Sequence, residues 1–381
     1  MRSLTISALT LLALSLAGGS ALAFHDGGVA YCQGCHTMHN SQGGAPVDAA
    51  HPAGNAYLLN NGSPSDTCLK CHAGYGQFAS GLGFGPGGDF YWLTKTFSYS
   101  AHGRTTTLAG STHGHNIIAP AYGLTSADPT LSHAPGGTFL SQYMSCTSCH
   151  DPHGNENFRL LYGGAGNDPK YDGTRYSFAN PAPLALGNAR TTNAASGLEN
   201  NVQHTVYKSG MSEWCANCHS AFHSPNTTNF VHPTGVAMGS TTAAAYNAYV
   251  STDNLLGGTQ ATSYWGLVPF EAVNVDLATA NSTNYTTGPD AQDRVMCLTC
   301  HRAHASPFSD NGRWDFSATY IADSHPLATD TGASADDVAR KYYNYTFATL
   351  NQRSLCNKCH AKDALDEPVA PPPPIVSGVP D

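Results

Sequence analysis

Apolar positions are unevenly spread along the chain. The opening stretch carries one positive residue, Arg2, and then an apolar run that ends Ala21-Leu22-Ala23. A short apolar run closed by small residues at alternate positions reads as a secretory signal peptide, residues 1–23, cut before Phe24. It is short for a membrane anchor and is broken by Gly18-Gly19, and no later stretch is apolar enough to span a bilayer.

Beyond residue 23 the helical period is sparse. Ser334–Leu350 has acidic residues early and basic ones later, which predicts a helix leading into the last cysteine motif. Thr241–Val250 predicts a second short helix, and Met211-Ser-Glu-Trp214 a turn. Gly-, Asn- and Thr-rich loops fill most of the rest. Residues 367–381 contain Pro371-Pro-Pro-Pro374 and read as an extended, flexible tail. The expected fold is mostly irregular, with few short helices and little strand.

Composition sharpens this. Charged residues make up 11%, against about 25% in ordinary domains. With 39 Gly and 23 Pro and few Leu/Ile/Val runs, the chain needs another source of buried apolar mass. The formal charge of −9 and the lack of a basic patch argue against a nucleic-acid partner.

The twelve cysteines supply the missing element, because every one falls in a C-x-x-C-H motif. The pairs are Cys32/Cys35, Cys68/Cys71, Cys146/Cys149, Cys215/Cys218, Cys297/Cys300 and Cys356/Cys359. They are followed by His36, His72, His150, His219, His301 and His360. This is the attachment signal of c-type haem. Two thiols form thioethers with the macrocycle, and the next residue is held under the ring as the proximal iron ligand. A disulfide framework would not demand His after every second cysteine. A zinc ribbon needs two pairs per metal. Six covalent haems are therefore expected, and haem accounts for the apolar mass. Motif spacings are unequal and no linker divides the chain, so residues 24–366 should form a single elongated unit organised around a chain of haems.

An iron with both axial positions filled passes electrons, whereas an open position binds substrate. Thirteen histidines remain for six distal positions, so bis-His ligation is expected. His39, His153, His304 and His223 follow a motif closely. Each lies near its own proximal His and can reach a second haem packed alongside. His115 and His232 are the next candidates, and His25 is balanced between ligand and structural residue. His51, His102, His113, His133, His204 and His325 read as exposed or hydrogen-bonded. Met38, Met144, Met211 and Met296 read as packing residues near haem edges.

Several segments beyond the bare motifs resemble a known family: FHDGGVAYCQGCHTMHNS, PGGDFYWLTKTF, GHNI, CTSCHDPHG, GMSEWCANCH, CLTCHRAHAS and LCNKCHAKD. In order along nearly the whole mature chain, they resemble the hexahaem outer-surface cytochromes of the OmcS type. The resemblance implies bis-His irons and end-to-end polymerisation into extracellular filaments. It also implies a continuous haem stack in which the histidine of the first CHTMH, here His39, reaches the His301 iron of a neighbouring copy. If each C-H-x-x-H serves the haem two places back, His153 falls to the His36 iron and His304 to the His150 iron. The His72, His219 and His360 irons then draw on His115, His223, His232 or His25.

The leading expectation is an electron carrier, not an enzyme. It would be fed by outer-membrane or periplasmic cytochromes and would discharge to extracellular acceptors. A monomeric periplasmic or surface shuttle, and a reductase with one open iron, are the alternatives.

Overall fold

The protein is described here from a computed structural model covering residues 31–75, 78, 87–101, 103–164, 166–171, 174–188, 199–223, 232–343, 345–347 and 352–360. The predicted signal peptide, His25, His102 and the Pro-rich tail lie outside the described residues.

Helices are short. They are α1 (Cys32–Cys35), α2 (Pro64–His72), α3 (Met211–Cys215), α4 (Ser220–His223), α5 (Gly239–Ala248), α6 (Cys297–Cys300) and α7 (Ala335–Arg340). Helix α2 has a complete set of end signals. The Ser63 side chain accepts from the Asp66 N–H, Pro64 stands in the first turn, and Lys70 and His72 close the last. The Thr241–Val250 expectation is met by α5, shifted two residues toward the N-terminus.

Two expectations need correction. Met211–Cys215 is a helix, not a turn, because the Glu271 carboxylate accepts the Met211 N–H at 2.8 Å and caps its start. The predicted helix over 334–350 stops at Arg340. Ser334 and Asp337 form a capping box at its start. Three residues past its end, Tyr343 takes φ 59. The Tyr343 ring lies under Arg302 at 3.9 Å and its hydroxyl donates to the Ala305 carbonyl at 3.1 Å. Those tertiary contacts outweigh the local preference to continue the helix.

Among the described residues, strands occur as four antiparallel pairs: β1 (Ser41–Gln42) with β2 (Ala45–Pro46), β3 (Phe97–Ala101) with β4 (Arg104–Leu108), β5 (Lys170–Tyr171) with β6 (Thr174–Arg175), and β7 (Leu184–Leu186) with β8 (Val206–Ser209). The apolar core is split into three small clusters, centred on Trp265/Leu267/Trp314, Leu69/Trp92/Phe97 and Tyr207/Met211/Met296. Met211 and Met296 pack as expected, whereas Met38 is 74% exposed.

Candidate haem sites

All six motifs fold the same way. One tight turn places the two thiols a turn apart, and the backbone N–H of the following histidine returns to the carbonyl of the first cysteine. The distances are 2.8 Å for His36, 3.1 Å for His150, 3.0 Å for His219 and His301, and 3.1 Å for His360. In the second motif α2 itself runs through to His72. The twelve thiols form no disulfides.

Second-sphere groups orient the imidazoles. Nδ1–H of His36 donates to the Tyr57 carbonyl at 2.9 Å, that of His150 to Arg159 at 2.8 Å and that of His301 to Asp310 at 2.7 Å. A carbonyl partner fixes the proton on Nδ1 and leaves the Nε2 lone pair for a metal. In each case the accepting residue begins a pair in left-handed backbone: Tyr57-Leu58 (φ 56, 58), Arg159-Leu160 (54, 56) and Asp310-Asn311 (56, 58). The carbonyl of the second residue accepts the N–H that follows the histidine, from Thr37 at 2.7 Å, Asp151 at 2.8 Å and Arg302 at 2.8 Å. Non-glycine residues rarely adopt this conformation. Its threefold use beside a proximal histidine marks these pairs as part of the site. Sequence reading missed them, since YLL, RLL and DNG share no obvious turn signature.

Four further contacts bring histidines together from distant parts of the chain. Ring centroids lie 6.3 Å apart for His36 and His153, 6.3 Å for His150 and His304, 5.9 Å for His115 and His219, and 6.2 Å for His232 and His360. Two imidazoles that share one metal through Nε2, each about 2 Å from it, have centroids about 6 Å apart. The donor sets therefore fit a bis-His iron. Burial pushes His304 down to about 3 and His115 to about 4, so both are neutral at physiological pH, as a ligand must be. Nδ1–H of His115 donates to the Ala303 carbonyl at 2.7 Å and that of His219 to Pro135 at 2.9 Å.

The remaining candidates are placed differently. His39 is exposed, and among the described residues its side chain has no hydrogen bond, ion pair or ring contact. His223 sits between Thr234 (3.3 Å) and Glu213 (4.0 Å). His113 and His204 are fully buried. His113 donates to the Trp92 carbonyl, while His204 has a carbonyl facing each nitrogen. His51 and His325 pair with Asp48 and Asp330.

Consecutive motifs lie near one another in sequence order. Burial, with Cys68 and Cys71 beside it, pushes the Cys35 thiol up. A hydrogen bond with Cys146 pushes Cys68 up, and one with Cys297 does the same to Cys215. Burial, with Cys218 nearby, pushes Cys149 up to about 12. Burial, with Cys356 and Cys359 nearby, pushes Cys300 to about 12. The six sites thus form one unbranched line from the first motif to the sixth.

A helix-poor fold wrapped around a line of C-x-x-C-H turns with opposed imidazoles is that of a multihaem c-type cytochrome. The Doubled CXXCH motif family matches residues 141–171. The C-type cytochrome OmcS of Geobacter sulfurreducens is 37% identical over 95% of this chain and 98% of its own length. Two cryo-EM and filament structures from that organism, the OmcS nanowires and the Outer Membrane Cytochrome S filament, superpose with TM-scores of 0.75 and 0.74 at 35% and 34% identity. Each covers 89% of this chain and all of its own. The chain belongs to the OmcS family of c-type cytochromes.

Proposed function

We propose that the protein carries electrons outside the cell as an end-to-end polymer in which six haem sites per copy join into one continuous line. The observation that carries this reading is the unbranched order of the six motifs, open at both ends. At one end His39 stands exposed. Toward the other, in the fifth motif next to the last, no second histidine ring lies in contact with His301 among the described residues. His39 of one copy supplies the sixth ligand of the His301 iron in the next. A head-to-tail contact of this kind does not close on itself and so yields a filament.

Within the chain, the imidazole pairs support His153 as ligand to the His36 iron, His304 to the His150 iron, His115 to the His219 iron and His232 to the His360 iron. His25 and His223 are left for the His72 iron. Bound haem iron supplies one-electron chemistry, at the lower potentials that bis-His ligation favours over His/Met. The chain's own residues do the rest. The thiols hold each ring, the Tyr57, Arg159 and Asp310 carbonyls fix imidazole orientation, and the distal histidines close both faces to substrate. Secretion through the leader and residence at the outer surface complete the reading, with upstream cytochromes as donors and extracellular acceptors as the sink.

Electron cryo-microscopy of material sheared from the source cells tests this. Filaments of this chain with an unbroken line of haems and His39 across the joint support it. Compact monomers alone, at concentrations where relatives polymerise, would favour a diffusing shuttle.

A further inference from the structure

The joint between haem pairs is built twice within the chain. Where the third motif meets the second, the Cys146 N–H donates to Ser65 Oγ at 3.4 Å, the Cys146 and Cys68 thiols touch, and His153 faces His36. Where the fifth meets the fourth, the Cys297 N–H donates to Ser212 Oγ at 3.0 Å, the Cys297 and Cys215 thiols touch, and His304 faces His150. This second joint has one more component. His115, which faces His219, is gripped by the C-H-x-x-H loop. Its backbone N–H donates to the His304 carbonyl at 2.9 Å, and its Nδ1–H to the Ala303 carbonyl at 2.7 Å.

His232 occupies the matching place one repeat later. It faces His360 of the sixth motif as His115 faces His219 of the fourth. The local backbone agrees too: Ile117 N–H returns to the His115 carbonyl at 2.9 Å, and Thr234 N–H to the His232 carbonyl at 2.8 Å. The grip, however, is missing. Among the described residues neither the backbone N–H nor Nδ1 of His232 has a hydrogen-bond partner, and His232 is exposed. The next C-H-x-x-H loop in this register belongs to the first motif, Cys35-His-Thr-Met-His39, and no seventh motif exists in the chain. Among the described residues the carbonyls of Met38 and His39 are equally without partners, in an exposed loop.

We infer that each His232 is gripped by the neighbouring copy in the polymer, its backbone N–H donating to that copy's His39 carbonyl and its Nδ1–H to that copy's Met38 carbonyl. The inference rests on the polymer proposed above and adds a second function to one loop. The His39 imidazole completes the iron of the fifth site, while the main chain around it sets the orientation and basicity of the ligand to the sixth. Because main-chain carbonyls make the grip, side-chain identity at position 38 is free to vary, as Pro152 and Ala303 at the equivalent places illustrate.

A filament map at side-chain resolution tests the geometry. Both donor–acceptor distances should fall within about 3.5 Å. His39 seated on the His301 iron with His232 outside that range overturns the grip and leaves the polymer standing. No His39 crossing at all overturns the polymer reading itself. Hydrogen exchange gives an independent readout in solution. The His232 amide should exchange at least about tenfold more slowly in sheared filaments than in depolymerised protein, and equal exchange in the two states refutes the grip.

Discussion

Replacing His304 with alanine isolates one ligand of one iron. The imidazole stacks on Phe90 at 4.7 Å, lies 6.3 Å from His150 and is held by the Gly88 carbonyl at 3.3 Å. It belongs to a motif that keeps both its own thiols and its own proximal His301, so all six haems should still attach. Only the His150 iron loses an axial nitrogen. Because six motifs share the iron equally, about one-sixth of it should turn from low-spin to high-spin in the oxidised protein. Removing a buried ring also opens a cavity, with a stability loss on the order of 2 kcal/mol. Low-temperature electron paramagnetic resonance on filaments, with spin quantification, measures the first effect, and free imidazole should reverse it by filling the space. The backbone N–H of His115 still finds the carbonyl at 304, so the neighbouring iron should stay low-spin. A variant with no high-spin share, or with two-sixths, refutes the pairing.

Three further outcomes follow from the same geometry. His39→Ala should retain six haems by mass but polymerise weakly, and filaments of normal length and stability from it would contradict the joint. Arg159→Gly should relieve left-handed strain of about 1 kcal/mol at a residue whose main-chain carbonyl does the binding. Urea unfolding should show a gain or no change, with the spectrum unaltered, and a loss above about 1 kcal/mol would show that the arginine side chain matters. Burial raises Glu271 from 4.5 to about 7, so the folded state holds a proton there that the unfolded state releases. Its stabilising contribution is full below about pH 4.5 and is lost as pH rises to about 7, by on the order of 1–3 kcal/mol. Glu271→Gln keeps an acceptor for the Met211 N–H and should flatten stability across that window, whereas an unchanged slope would place the titration elsewhere.

How much of this was legible beforehand differs from residue to residue. Six C-x-x-C-H motifs pointed to the class of cofactor and to where its attachment turns would lie, since each turn is built from contacts within a few residues. The same local logic found α5 and the start of α7. It failed at the end of α7, where Tyr343 is held by Arg302 and Ala305, and at α3, which Glu271 caps from sixty positions further along the chain. His113 and His204 were read as exposed or hydrogen-bonded; both are hydrogen-bonded, and their complete burial was not foreseen.

By itself, then, the sequence determined the class of protein and the number of haems, because those depend on residues within a few bonds of one another. The tertiary structure decided which imidazole faces which. His153 reaches His36, His304 reaches His150, His115 reaches His219 and His232 reaches His360, each across more than a hundred residues. The C-H-x-x-H register anticipated the first two of these pairs, but no spacing rule encodes His115 with His219 or His232 with His360. They exist because consecutive motifs stack in order and bring C-H-x-x-H loops, left-handed carbonyl pairs and distant histidines to the same place.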